Sequence, residues 1–109
     1  MTRATAQLAE RGGGRCTLAG NLTLETVPWL WRELRNGGLL TAATEADLSG
    51  VIESDSTGLA LLVAWRAARR SAGSDLSFTG VPERLDLLAA LTDAQAVLAA
   101  APEAEGRSA

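Results

Sequence analysis

The stretch of sequence that decides the fold is DLSGVIESDSTGLALL, residues 47–62. We interpret it as the end of a strand at 44–48, a loop over 49–55 and the beginning of a helix over 56–71. The first turns of this helix are apolar nearly all round, which is typical of a helix packed between a sheet and a neighbouring element. Because Asp, Ser and Thr are good N-cap residues, the simplest interpretation is that this turn only starts a helix.

The beginning of this helix is also suited to contact with another molecule. Asp55, Ser56 and Thr57 lie where free backbone N–H groups and the positive end of the helix dipole favour an anion. A phosphoryl group on Ser56 would add a charge of ~−1.5 to −2, which the dipole would favour and Asp55 would oppose. Arg66 lies ~15 Å further along the helix, too far to neutralise that phosphate. Gly58 allows another backbone or a partner to approach closely.

Hydrophobic periodicity places further elements on both sides of this stretch. Alternation in period two predicts strands, and recurrence at three- and four-residue steps predicts amphipathic helices. In chain order we predict an edge strand through Ala6 and Leu8, a strand at 15–19, a helix at 24–36, the strand at 44–48, the helix at 56–71, a strand at 76–79, a helix at 81–91 and a short helix at 92–100. This order implies a mostly parallel sheet, with the first two strands paired as an antiparallel hairpin through the glycine turn at 12–14.

The composition argues against most enzyme classes. The chain of 109 residues has the size of one domain, and its net charge of −3 argues against nucleic-acid binding. It contains no histidine, lysine or tyrosine and one cysteine, so the commonest general base, a Schiff-base lysine and a thiolate metal site are missing. No apolar run approaches the ~20 residues that cross a bilayer, and residues 1–14 lack the apolar core of a signal peptide. We therefore expect a cytoplasmic, non-enzymatic binding or regulatory module without a cofactor.

The three tryptophans are expected to have different environments. Trp31 shares an apolar stripe with Val27 and Leu34, so we expect it in the core. Trp29 lies off that stripe and is open to either a core or a surface position, where tryptophan often contributes strongly to binding. Trp65 either flanks the Ser56 surface or fills the layer against the sheet.

Charged side chains and the single cysteine receive simpler interpretations. Asp47, Glu53 and Asp55 are close in sequence, but nothing around them supports a magnesium site, and we predict no metal. Cys16 is expected to be a buried, small apolar residue. Three arginines at the end of the 56–71 helix are expected to be solvated and to complement its dipole. They are Arg66, Arg69 and Arg70.

The pattern Asp47-Leu-Ser followed by Asp55-Ser-Thr-Gly-Leu resembles the signature of STAS domains, the fold of anti-sigma factor antagonists and of the tails of sulfate transporters. The sequences LAGNLT at 18–23 and GVPERL at 80–85 extend the resemblance over roughly 15–100. It implies an α/β fold, STAS-like, with a four- to five-stranded mixed sheet and helices mainly on one face. We expect one STAS domain at 1–101 and a disordered C-terminal tail at 102–109.

Within STAS domains, the helix TVPWLWREL at 26–34 and the Leu-rich third helix resemble the MlaB-type branch. Proteins of this branch are cytoplasmic subunits of the MlaFEDB phospholipid ABC transporter, which maintains outer-membrane lipid asymmetry, and they bind and stabilise its ATPase subunit, MlaF. The resemblance implies an accessory subunit that contacts the ATPase directly and the permease indirectly. It would lie at the inner membrane through the complex, without membrane insertion and without nucleic acid.

The resemblance also implies the position of the contact. In MlaB-type proteins a Ser or Thr directly after the Asp lies at the ATPase contact, and Ser56 matches it. The expected partner-binding residues are Asp55, Ser56, Thr57, Gly58 and Leu59, with Leu62 and Trp65 as apolar anchors. In anti-sigma factor antagonists the same position is the serine that a partner kinase phosphorylates to switch binding off. The alternative is therefore an antagonist switched at Ser56 by an anti-sigma factor kinase.

Two segments depart from the STAS pattern. Asn21-Leu-Thr stands where many STAS domains carry an acidic pair, which removes acidic groups from that loop. Glu53 and Ser54 stand where an apolar pair commonly precedes the Asp, so they either loosen the strand or present a charge to the partner. The sequence has no phosphate-binding loop, and we predict no nucleotide site.

Overall fold

The computed structural model describes residues 5–92 and 94–98. Its strands and helices are β1 Ala6–Gly12, β2 Arg15–Leu22, α1 Val27–Asn36, α2 Leu39–Ala42, β3 Glu45–Ser54, α3 Ser56–Ser71, β4 Ser77–Thr79, α4 Glu83–Leu91 and α5 Gln95–Leu98. Residue 93, the end of the helix predicted at 92–100, the boundary predicted at 101 and the tail predicted at 102–109 lie outside the described residues.

The sheet has four strands in the order β1-β2-β3-β4. β1 pairs antiparallel with β2, while β3 is parallel to both β2 and β4. The hairpin turns at Gly12, Gly13 and Gly14, whose φ angles of 87°, 64° and 82° lie in the left-handed region that glycine adopts without strain. The predicted α/β fold, with its mixed sheet and N-terminal hairpin, is therefore confirmed.

One face of the sheet carries the core. Cys16 and Leu18 of β2 and Ala46 and Leu48 of β3 are buried, and the residues between them lie on a more accessible face. This alternation shows that the helices cover one face, because successive strand residues point to opposite sides. Fully buried side chains from the helices complete the core. They include Leu30, Leu34, Leu62, Trp65 and Leu85.

The loop predicted over 49–55 is wrong, because β3 continues to Ser54 and only Asp55 separates it from α3. The pairing of β2 with β3 moves from Thr17↔Asp47 to Ala19↔Gly50, and from Gly20↔Val51 to Asn21↔Glu53. Each shift inserts one extra residue into β3, as a β-bulge does. The buried positions therefore fall out of strict alternation, which hides the second half of the strand from a period-two pattern.

The helix boundaries were predicted with mixed success. The helix predicted at 56–71 is α3, with the same bounds. α1 begins at Val27, so Leu24 lies before it and is 68% exposed instead of joining the buried stripe. The single turn α2 was not predicted. In α4, Leu91 is exposed although it closes a leucine-rich helix.

Thr26 occupies the N-cap position of α1, but its side chain does not cap the helix. Its hydroxyl donates to the carbonyl oxygen of Asn21 at 2.6 Å and accepts the backbone N–H of Thr23 at 3.1 Å. The side chain thus closes the turn that leads out of β2, and it fixes the loop between β2 and α1.

The prediction that the arginine side chains at the end of α3 are solvated is wrong for Arg66 and Arg69, which are both buried. Arg66 donates from Nε and Nη2 to the two carboxylate oxygens of Asp75, at 2.9 and 3.1 Å. Its Nη1 donates to the carbonyl oxygens of Ala96 and Val97, at 2.9 and 2.7 Å. These bonds compensate the cost of burying the charge and tie α3 to α5.

Arg69 reaches the opposite side of α3. It donates to the carbonyl oxygens of Ala43 and Thr41, in and just after α2. Arg70 matches the prediction, since its side chain is exposed and lies 3.3 Å from a carboxylate oxygen of Asp75. Hydrogen bonds from Arg66 and Arg69 therefore connect the C-terminal half of α3 to α5 and to α2, although the sequence pattern predicted that both side chains are solvated.

Candidate functional site

The candidate site lies where the parallel strands β2 and β3 end at the same edge of the sheet. Leu22 pairs with Ser54 in the last register position of these two strands. The backbone N–H of Asp55 donates to the carbonyl oxygen of Leu22 at 3.1 Å, and α3 begins at the next residue. The loop after β2 and the N-terminus of α3 are thereby brought together.

Asp55 is the residue that joins them. It is the N-cap of α3, with extended backbone angles, and its Oδ1 accepts the N–H groups of Thr57 at 2.9 Å and Gly58 at 3.0 Å. Its Oδ2 accepts the N–H of Leu24 at 3.1 Å. The carboxylate thus occupies the anion-favouring end of the helix and satisfies donors that would otherwise lack partners.

Ser56 and Thr57 follow this cap on the first turn of α3. The side chain of Ser56 is exposed and that of Thr57 is half-buried. The backbone around Ser56 is held by the N–H bond of Asp55 to Leu22 and by the bonds of the Asp55 carboxylate to Thr57 and Gly58. Asp55 is half-buried like Thr57, so these three predicted contact residues keep accessible surface.

Gly58 is needed for packing inside the domain. A Cβ atom at this position would lie 2.2 Å from the carbonyl oxygen of Leu22, far inside van der Waals contact. Of the two expectations for Gly58, close approach of another backbone or of a partner, the structure shows the first. The glycine lets α3 lie directly against the end of β2.

The expectation that Leu62 and Trp65 anchor a partner is wrong, because both side chains are fully buried in the domain itself. Leu59 is buried as well. Trp65 fills the layer against the sheet. Its Nε1 donates to the carbonyl oxygen of Leu39 at 3.1 Å. Its ring packs edge-on against Phe78, with 6.0 Å between the ring centroids. These residues position α3, and its accessible face is formed by other side chains.

The accessible side of α3 is a stripe of exposed side chains, and the sequence pattern did not indicate two exposed apolar side chains that lie near Asp55. Ser56, Ala60, Val63 and Ala67 recur at helical spacing and are exposed. Leu24 is 68% exposed and Ile52 is 80% exposed. Each belongs to an irregular segment, the turn before α1 and the second bulge of β3, where periodicity gives no signal. An apolar residue at a turn or bulge, next to a polar cap, is the signal that could have found them.

The remaining two tryptophans are both more accessible than Trp65. Trp29 is exposed on α1, which settles the open alternative in favour of the surface. Trp31 is only partly buried and packs against the core cluster, so the core prediction holds in part.

A cavity of about 420 Å³ lies beside Asp55. Its lining residues are Thr23, Ile52, Glu53, Ser54, Asp55 and Arg84. Glu53 is exposed, so it presents its charge at the rim, whereas Ser54 is 6% exposed. The Oγ1 atom of Thr23 and the Oγ atom of Ser54 are buried and have no hydrogen-bond partner within the part of the chain that the structure describes.

The other titratable groups have ordinary structural roles. Asp47 accepts the backbone N–H of Ser49 at 2.9 Å, and hydrogen bonds from Ser49 lower the pKa of the Asp47 carboxyl. Burial raises the pKa of the Cys16 thiol to about 11, with a further contribution from the charge of Glu10. Among residues 5–92 and 94–98, no three His, Cys, Asp or Glu side chains form a group that could hold a metal ion.

No helix in the described ranges is long and apolar enough to cross a bilayer.

The comparisons with known proteins agree with the fold. A search of curated proteins gave no match. The family model described as "Mlab, STAS domain" matches residues 6–105 of the 109-residue chain, and therefore covers the sheet, its helices and the Asp55–Ser56 site. Domains of this family are generally not enzymes. The chain belongs to the MlaB-type STAS domain family.

Proposed function

We propose that this protein is a non-enzymatic accessory subunit that binds and stabilises the ATPase of a phospholipid ABC transporter, and thereby contributes to outer-membrane lipid asymmetry. It would lie in the cytoplasm, held at the inner membrane through the complex. The observation that carries the proposal is the exposed Ser56, held between the Asp55 cap and the first turn of α3, in a chain of the MlaB-type family.

The proposed contact surface contains Ser56, Thr57, Leu24 and Ile52. Exposed apolar side chains beside a fixed polar residue are typical of a protein-docking surface. The small side chains along the exposed stripe of α3 would let a partner's backbone approach closely. Because the surface is held by hydrogen bonds within the domain, little conformational freedom would be lost on binding.

Stabilisation of the ATPase would follow from mass action. A subunit that binds only the folded, assembled ATPase lowers the free energy of that state by RT ln(1 + [L]/Kd), where [L] is the free concentration of the subunit. No catalytic group is needed for this effect, and none of the residues at the site forms a nucleophile–base pair.

The test is co-expression of the tagged chain with the candidate transporter ATPase from the same organism. Ser56→Arg should lower the recovery of the ATPase at least roughly tenfold, because a long charged side chain cannot enter a packed contact. Ser71→Arg is the matched control, since Ser71 is exposed at the other end of the same helix. Equal recovery with Ser56→Arg and Ser71→Arg, both folded by circular dichroism, would exclude this surface as the contact.

The exposed hydroxyl of Ser56 also favours one alternative, an anti-sigma factor antagonist switched by a serine kinase. A phosphoryl group there would place ~−1.5 to −2 charge next to the Asp55 carboxylate and change the docking surface. In that case Ser56→Ala would leave the antagonist permanently active, whereas for a transporter subunit Ser56→Ala should be mild. The readout is intact-mass analysis of the chain together with the identity of the co-purifying protein.

A further inference from the structure

We propose that the cavity beside Asp55 receives a cationic side chain, an arginine or a lysine, from the partner protein. This inference rests on the proposed function, because the cavity adjoins Ser56 and would be covered by the same partner. The cavity measures about 420 Å³ and is lined by side chains from three places in the fold: the turn after β2, the end of β3 and the first turn of α4.

The first observation is a pair of hydroxyl groups without partners. The Ser54 side chain is 6% exposed and its Oγ has no hydrogen-bond partner in the described part of the chain. Thr23 is half-buried, and its Oγ1 is likewise a buried atom without a hydrogen-bond partner among these residues; both residues line the cavity. Buried polar atoms are nearly always satisfied in folded proteins, so two orphaned hydroxyls at one cavity point to a ligand that supplies the missing bonds.

The second observation decides the sign of the ligand's charge. An anion would need the N–H groups at the beginning of α3, but Thr57 and Gly58 already donate theirs to Asp55. It would also meet the carboxylates of Glu53 and Asp55, against the single guanidinium of Arg84. The lining thus carries two negative charges and one positive charge, and its hydroxyl oxygens can accept hydrogen bonds.

The charge and the hydrogen-bond acceptors of the lining favour a cation. Glu53 is exposed at the rim, and among the described residues it forms no ion pair within 4 Å. The hydroxyl oxygens of Thr23 and Ser54 would accept N–H groups from a guanidinium or ammonium, which have donors and no acceptor. Ile52, 80% exposed, would cover the aliphatic stem of the inserted side chain. An arginine or lysine side chain fits these conditions better than a neutral one.

The experiment is an NMR titration of the full 109-residue chain, labelled with ¹⁵N, using Nα-acetyl-arginine amide as the probe. Inorganic phosphate and N-acetyl-glycine amide serve as the anionic and neutral comparisons. We expect saturable amide shifts at Thr23, Ser54 and Asp55 with the arginine probe alone. Saturation by phosphate at these amides, or no saturable shift with the arginine probe, would overturn the proposal.

A variant pair separates the site from general surface charge. Glu53→Gln should weaken binding of the arginine probe roughly two- to fivefold, the effect of one exposed ion pair. Glu33→Gln removes the same charge from an exposed position on α1 and should leave the affinity unchanged. Equal affinities for both variants would contradict the assignment.

The outcome is independent of the test of the proposed function. If the ATPase co-purifies but the arginine probe fails to bind, the cavity assignment is wrong and the proposed function stands. If the probe binds at the cavity but no ATPase co-purifies, the cation site stands and the identity of the partner is wrong.

Discussion

The carboxylate of Asp55 accepts the backbone N–H of Leu24 at 3.1 Å, across 31 residues of sequence. The same carboxylate holds the N–H groups of Thr57 and Gly58. One side chain thus caps α3 and bonds to the turn after β2, so hydrogen bonds join the loop and the helix that frame Ser56 into one corner. The surface that we propose as the docking site is therefore formed by hydrogen bonds within the domain itself.

Replacement of Asp55 should weaken this corner. We expect Asp55→Ala to lower the free energy of unfolding by about 1–2 kcal/mol, because the cap of α3 is lost. Asp55→Asn should cost less, since the amide oxygen can still accept an N–H group. Urea unfolding followed by circular dichroism measures both, and a stability of Asp55→Ala equal to that of the unmodified chain would contradict the capping role.

Substitution of Gly58 should be more damaging than its small size suggests. A Cβ atom there would lie 2.2 Å from the carbonyl oxygen of Leu22, so α3 must move away from β2. We expect Gly58→Ala to destabilise the domain by roughly 1–3 kcal/mol, despite the better helix propensity of alanine. Thr57→Ala, one residue earlier, is the control and should change stability by less than about 1 kcal/mol. An increase in melting temperature for Gly58→Ala would refute this packing.

The single cysteine provides a probe of unfolding. Cys16 is buried, and its thiol pKa is raised to about 11, mainly by that burial. Because the thiolate is the reactive form, we expect negligible alkylation by iodoacetamide at pH ~8 in the native state and rapid alkylation in urea. Mass spectrometry over time gives the rate. Fast labelling without urea would show that β2 is accessible, contrary to this packing.

Asp75 should make stability depend on pH in the acidic range. Hydrogen bonds from Arg66 hold the pKa of the Asp75 carboxyl well below its usual range. A lowered folded-state pKa stabilises the fold above the unfolded value of ~3.9, and this contribution is lost as pH falls through the folded-state value. We therefore expect the stability difference between the unmodified chain and Asp75→Asn to narrow below pH ~4.

Urea unfolding at neutral and acidic pH measures this difference. Asp86→Asn serves as the control, because it removes the same charge from an exposed position on α4. A constant gap between the unmodified chain and Asp75→Asn over this pH range would argue against the Arg66–Asp75 pair as its cause.

The parts of the fold that depend on local sequence were predictable. α3 runs over the predicted residues because Asp55 supplies a cap and the apolar residues recur at helical spacing. The hairpin was predictable because consecutive glycines separate two alternating segments. The position of Ser56 at the beginning of α3 followed from the same cap.

The parts that depend on distant partners were not predictable. The positions of Arg66 and Arg69 near the end of α3 are typical of solvated arginines. Only the folded chain brings Asp75 next to Arg66 and the carbonyl of Ala43 next to Arg69. The strand predicted at 44–48 ends too early, because two bulges disturb the alternation in the second half of β3. Leu62 and Trp65 were expected at a contact surface, yet an apolar stripe does not reveal whether the domain or a partner covers it.

The most direct test of the central claim is recovery of the partner from the native membrane fraction. The tagged chain and its Ser56→Arg variant would be purified in parallel and the retained proteins identified by mass spectrometry. The account predicts that a phospholipid transporter ATPase and its permease are retained with the unmodified chain and lost with the variant. Retention of a soluble serine kinase in place of the transporter subunits would contradict it.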